Sequence, residues 1–157
     1  MKVIAGRNAG KLIADGEFFN ISNNVRTLNN GLRRSHEVIR SIPQGFPYMP
    51  ARFPAGIWNI TGVEWQSEKK FDLKTYGPVK IRTDAWQNVR IWELDGDGDY
   101  QRETKHETRD FGYLLHYSES KTTLGCIRIE SAEEATMLGL LLEKALINKE
   151  PITLEVT

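Results

Sequence analysis

The chain holds one cysteine, Cys126, and His116 stands ten positions upstream of it. Sulfur attacks a carbonyl only as thiolate, so a nucleophilic cysteine needs a base or a positive potential beside it, and amides aimed at the developing oxyanion. The stretch Phe111 to Ile129, FGYLLHYSESKTTLGCIRI, offers all three in order: an apolar run ending at His116, a loop, then Gly125, Cys126 and Ile127-Arg128. Cys126 reads as the nucleophile and His116 as its base, because the loop is short enough to fold imidazole against sulfur. Gly125 would let a substrate approach the backbone, having no side chain there. The amide of Cys126, with that of Gly125 or Leu124, would face the carbonyl oxygen. Singly, a lone cysteine is more often a small buried hydrophobe and a strand-end histidine a core residue. The combination outweighs those readings.

Neighbouring residues divide between binding and packing. Arg128 either holds a substrate carboxylate or pairs with Glu130. Tyr113 and Tyr117 line a groove or pack in a sheet, and Trp58, Trp65, Trp86 and Trp92 read as core or as platforms for sugar rings. His36 and His106 lie in polar surroundings and read as surface, although His106 lies in the loop that precedes the site. Asp95-Gly96-Asp97-Gly98-Asp99 begins like a calcium loop. Tyr100 then stands where an EF-hand requires glycine and His106 where it requires glutamate, so the segment reads as an acidic hairpin turn.

These residues need elements to position them. Val3-Ile4 and Lys11-Leu12-Ile13 flank the turn-forming stretch Gly6 to Gly10, which predicts a hairpin. A turn at Asp15-Gly16 leads to Phe18-Phe19-Asn20-Ile21. Ser22 to Gln44 is mostly polar, with a short apolar pattern at Leu32, Val38 and Ile39, and is expected to be a long loop with one helical turn. After the Pro-rich segment Pro43 to Pro54, the alternation in Gly56 to Ile60, Val79 to Arg82 and Val89 to Leu94 predicts the middle strands of a sheet. Tyr113-Leu114-Leu115 would end at His116 where the strand opens to solvent. Ser131 and Glu134 form a capping box ahead of Ala135, Leu138, Leu141 or Leu142, and Ala145 at helical spacing, so a helix should run to about Asn148. Pro151 blocks further helix, and Ile152, Leu154 and Val156 alternate as a last strand.

With 157 residues the chain can bury a core without disulfides, and it is expected to be a single domain over 1–157, mainly β (α+β) with one packed helix near the C-terminal end. The 21 basic and 21 acidic residues cancel. That balance provides no general field for nucleic acid or an anionic membrane, so neither is an expected partner. One cysteine cannot form an internal disulfide or furnish a thiolate zinc site. Neither a signal-peptide core nor an apolar run of about 18 residues occurs, so the chain reads as soluble.

The segment around Cys126 resembles the catalytic motif of the L,D-transpeptidases of the YkuD type. That motif has an upstream His, then Ser or Thr, His, Gly, Cys, an aliphatic residue, and Arg or Asn. Here it reads Thr123-Leu124-Gly125-Cys126-Ile127-Arg128. Pro54, Gly56, Trp58 and Ile60 are similar to the family's Pro-x-Gly-x-Phe-x-Ile strand, and the likeness covers roughly Phe46 to Asn148. Leu124 replaces the motif's second histidine and Tyr117 the glycine that usually follows the first. The resemblance implies a β-sandwich of the YkuD kind and a thioester on Cys126 with the upstream histidine, His116, as base. It further implies Thr123, Leu124, Tyr113, Tyr117 and Arg128 in substrate binding, peptidoglycan stem peptides as substrate, and no metal or organic cofactor. Action would be in the periplasm or cell envelope. The compact His-to-Cys loop is similar to effectors that bacteria deliver into rivals, which implies a secretion apparatus and an immunity protein as partners. An inactive wall-binding domain and a cysteine peptidase or amidase cutting another stem bond stay open, although papain-like enzymes place cysteine before histidine. Acyl acceptor and oligomeric state are not legible.

Overall fold

The computed structural model describes residues 1–26, 47–67, 70–97 and 100–157. Among them are strands β1 (Lys2–Gly6), β2 (Lys11–Ala14), β3 (Glu17–Ser22), β4 (Gly56–Trp65), β5 (Val79–Thr83), β6 (Trp86–Leu94), β7 (Tyr100–Phe111), β8 (Leu114–Tyr117), β9 (Ile127–Ile129) and β10 (Thr153–Val156). Helix α1 (Lys70–Tyr76) lies between β4 and β5, and α2 (Ala132–Ile147) between β9 and β10. The protein is mainly β. Leu32, His36, Val38, Ile39 and most of the long polar segment lie outside the described residues, as do Gly98 and Asp99.

Eight strands close on themselves in the order β1-β10-β4-β5-β8-β9-β3-β2. This is a barrel rather than the two stacked layers of a sandwich. Its strands alternate as a filled barrel requires: Val3, Ala5, Leu12, Ala14, Phe19 and Ile21 are buried while the residues between them are more exposed, and small and large side chains together fill a barrel of this size. Closure also leaves no free edge in the barrel.

Strand β6 is not one of the sheet's middle strands. It leaves the barrel and pairs with β7, from Trp86↔Phe111 to Leu94↔Tyr100, as a two-stranded arm, with an isolated bridge from Ile91 to Tyr48 on its other edge. Its alternation specifies a strand but places only Val89 among buried residues, where it meets Tyr48 in a small satellite cluster. The sequence of β7, YQRETKHETRDF, has no apolar face to offer a barrel. His106 is exposed on this arm, and Asp95 to Asp97, which follow β6, form a turn in which the Asp97 amide donates to Asp95 Oδ1 at 2.9 Å.

Helix α2 closes one side of the barrel. The Ser131 hydroxyl caps the helix by accepting from the Glu134 amide at 3.1 Å, and it donates to the Glu134 carboxylate at 3.0 Å, so the carboxylate meets the cap's side chain where a capping box would have it accept the cap's backbone amide. The other Glu134 oxygen accepts from the Asn20 amide at 2.8 Å, tying the helix start to β3. Ala135, Leu138, Gly139, Leu142 and Ala145 form the buried face; burying a leucine side chain is worth about 2 kcal/mol. Gly139 permits close approach, since a Cβ there would stand 3.1 Å from Trp65. Helix α1, which the sequence reading did not include, packs against β8 and carries Tyr76 to the site.

Candidate active site

Strands β8 and β9 are parallel neighbours, with Leu115 opposite Ile127, His116 opposite Arg128 and Tyr117 opposite Ile129. A parallel pair obliges the connecting chain to run back to the level where the first strand began. Residues 118–126 make that return, which brings Cys126, just ahead of β9, beside Leu114 and His116. The Leu114 amide donates to Cys126 Sγ at 3.3 Å. His116 sits within β8 rather than at an open strand end and is only 5% exposed, while Cys126 is partly exposed.

The imidazole is held by two contacts. His116 Nδ1 lies 2.8 Å from the Tyr117 carbonyl oxygen, which can only accept, so Nδ1 carries a proton and Nε2 is left for the sulfur. Burial pulls the His116 pKa down, yet the hydrogen bond and charge of Cys126, with the Tyr117 carbonyl, outweigh burial and hold it above its ordinary value; nearby Lys80 works against them. The sulfur and the imidazole are thus electrostatically coupled across a hydrogen bond.

The backbone carrying the thiol is locked from beneath. Asn23, buried, donates from Nδ2 to the carbonyls of Gly125 at 3.0 Å and Cys126 at 3.1 Å, while its Oδ1 accepts the Phe53 amide at 2.9 Å. The Thr123 hydroxyl donates to the Cys126 carbonyl at 2.7 Å and accepts the Gly125 amide at 3.2 Å. Gly125 has φ +127°, and a Cβ there would stand 2.6 Å from the Ala51 carbonyl oxygen and 2.8 Å from the Tyr113 ring. The missing side chain therefore serves inward packing, not substrate approach.

Three residues expected in substrate binding point elsewhere. Tyr113 is fully buried, edge-on to Phe53 at 5.4 Å, and its hydroxyl donates to buried Asp110 at 2.5 Å and accepts from Gln87 at 2.7 Å. Asp110 also accepts from Tyr48 at 2.8 Å, which satisfies a carboxylate only 2% exposed. Arg128 is 6% exposed: Nε donates to the Ser118 carbonyl at 2.7 Å and Nη1 meets Glu130 at 2.6 Å, so it pins the start of the returning loop. Tyr117 lies under that guanidinium, 5.2 Å away, and over Gly77, where a Cβ would come within 2.7 Å of it. Alternation along β8 puts Tyr117 and His116 on opposite faces.

Thr123 and Leu124 do border the open cleft above Cys126 and His116, which measures about 460 Å³. Its other walls come from residues that motif reading passed over. Antiparallel pairing sets Lys80 of β5 directly opposite His116 and Arg82 opposite Leu114, so all four share one face. Tyr76 meets the imidazole edge-on at 5.4 Å, with the Lys80 ammonium 3.9 Å above its ring. Arg26 is brought to the rim because its amide donates to the Thr123 carbonyl at 2.8 Å. Only the alternation of Val79-Lys80-Ile81-Arg82 hinted that Lys80 and Arg82 share a face. Trp65 and Trp86 lie away from this cleft and are partly exposed, Trp65 donating to Glu143 at 2.6 Å. Among the described residues no group of three or more His, Cys, Asp or Glu is placed to hold a metal ion.

Fold and site together define a small closed β-barrel with a thiol–imidazole pair at the foot of a cationic cleft. No family model, curated protein or solved structure matches this chain.

Proposed function

We propose that this chain is a cysteine acyltransferase of the L,D-transpeptidase type, acting on peptidoglycan stem peptides. The observation that carries the reading is the tautomer of His116: with Nδ1 committed to Tyr117, Nε2 faces the only sulfur nucleophile in the chain. The imidazole is thus oriented without the motif's second histidine, and Leu124 in that place leaves the base intact. The barrel is then a compact variant of the YkuD-type domain.

In the reaction, His116 Nε2 takes the proton of Cys126 and the thiolate adds to the carbonyl carbon of the amide before the terminal D-Ala. The carbonyl π pair moves to oxygen. On collapse the C–N bond breaks, the departing amine takes the proton from His116, and a thioester remains on Cys126. An amine of a neighbouring stem, another D-amino acid or water then takes the acyl group and restores the thiol. No cofactor enters the cycle. Such a substrate puts the work in the periplasm or cell envelope, and delivery into a rival calls for a secretion apparatus and an immunity protein, not for nucleic acid or membrane partners.

Intact-protein mass spectrometry after exposure to a carbapenem or a stem tetrapeptide tests this. A covalent adduct on the native protein, absent from Cys126→Ala, with D-Ala released from the tetrapeptide, is the expected result. Absence of any adduct defeats it, and release of larger peptides points instead to an amidase.

A further inference from the structure

The cleft above Cys126 is bordered by three cations, Arg26, Lys80 and Arg82, and by no acidic side chain among the described residues. Arg82 is neutralised from outside, through a salt bridge to Glu64. Arg26 and Lys80 have no carboxylate partner among the described residues. Lys80 stands opposite His116 in the β5–β8 ladder, where its charge opposes protonation of the base. Left uncompensated, that placement works against the chemistry of the cleft. An arriving anion removes the conflict, and the cation–π contact with Tyr76 holds the ammonium ready for it. Arg26 faces the cleft from the other side, its backbone bonded to the loop that carries the nucleophile.

We propose that Arg26 and Lys80 form a carboxylate-binding subsite across the mouth of the Cys126 cleft, selecting acyl donors that bear a free carboxylate close to the bond being broken. This rests on the acyl-transfer reading for its substrate, but the subsite itself is testable without it. Motif Arg128, the other candidate for this task, is buried behind Tyr117.

Iodoacetate and iodoacetamide alkylate a thiol with the same displacement of iodide and differ in one carboxylate. At low ionic strength the native protein should favour iodoacetate over iodoacetamide by about tenfold more than free cysteine does, and added salt should erode that preference. Lys80→Met and Arg26→Gln should each lower the ratio about three- to tenfold, with Lys80→Arg restoring it. A native ratio equal to that of free cysteine at every salt concentration, or one that neither variant changes, overturns the subsite. A stem tetrapeptide should acylate Cys126 faster than its C-terminal amide, and the difference should vanish in the Arg26→Gln/Lys80→Met double variant. If neither peptide acylates the protein while the iodoacetate preference holds, the subsite stands and the stem-peptide reading falls.

Discussion

His116 donates its Nδ1 proton to the carbonyl of Tyr117, the next residue in the same strand, at 2.8 Å. The bond is local, yet it decides which nitrogen faces Cys126, the orientation that the proposed base role requires. The carbonyl also favours the imidazolium that forms when the thiol gives up its proton. Orientation of the base is therefore built into β8, whose own position is held by β5 on one side and β9 on the other.

Removing the sulfur should reverse the His116 titration. Burial, which lowers the pKa, is the largest single influence, and of the three contributions that together overcome it the two larger come from Cys126. In Cys126→Ala only the Tyr117 carbonyl would oppose burial and Lys80, so the His116 pKa should fall below its ordinary value; NMR titration of the imidazole Cε1–H resonance reads this directly. Stability follows with opposite signs. In the native protein the raised pKa stabilises the fold below the unfolded-state value of 6.5, and that contribution is lost as pH rises through the folded-state pKa. In the variant a depressed pKa makes protonation costly, so its stability relative to native should decline as pH falls from about 8 to about 5. An unchanged His116 titration in Cys126→Ala would contradict the pairing.

His116→Gln removes the base and leaves the thiol in place. Acyl-enzyme formation should slow by about 10²- to 10⁴-fold. Alkylation by uncharged iodoacetamide should then require a higher pH than in the native protein, because the thiol has lost its imidazole partner. Circular dichroism shows whether the barrel persists, and a wild-type pH profile in the variant would remove His116 from the mechanism.

Asn23→Ala keeps both chemical groups but releases the backbone that aims them. The Gly125 carbonyl and the Phe53 amide lose their buried bonds to Asn23 together, and the Cys126 carbonyl keeps only the Thr123 hydroxyl. The expected cost is about 2–4 kcal/mol in chemical denaturation. If the proposed acylation occurs in this cleft, it should fall through kcat rather than KM, because the residues lining the cleft are untouched.

Gly125→Ala should be more damaging than an alanine substitution at an ordinary loop glycine. The residue would need φ +127° and would drive a Cβ into the Ala51 carbonyl and the Tyr113 ring. A loss of about 3 kcal/mol or more is expected from strain and overpacking, visible as a lowered thermal midpoint. Gly16→Ala is the control: φ is also positive there, but a Cβ would meet nothing within 4 Å.

The parts of this protein legible in its residues are those that depend on neighbours in the chain. The helix cap at Ser131, the first hairpin and the alternation of β4, β5 and β10 rest on local geometry, and each is present. Cys126 and His116 stand out because sulfur and imidazole are chemically rare, whatever the fold around them. Alternation marks a strand but not its partner, which is why β6, alternating like β4 and β5, reads as part of the same sheet although it forms a separate two-stranded sheet with β7.

Only the tertiary structure decided which way the remaining side chains face. Tyr113, Tyr117 and Arg128 adjoin the reactive residues in sequence and turn into the core or behind the loop, while Asn23, Arg26 and Lys80 are far away in sequence and surround the thiol. The reason is register: one residue of slip in β5 or β9 moves every side chain of that strand to the other face. Register is set by barrel closure and the packing of distant apolar residues, a long-range balance that no short motif encodes.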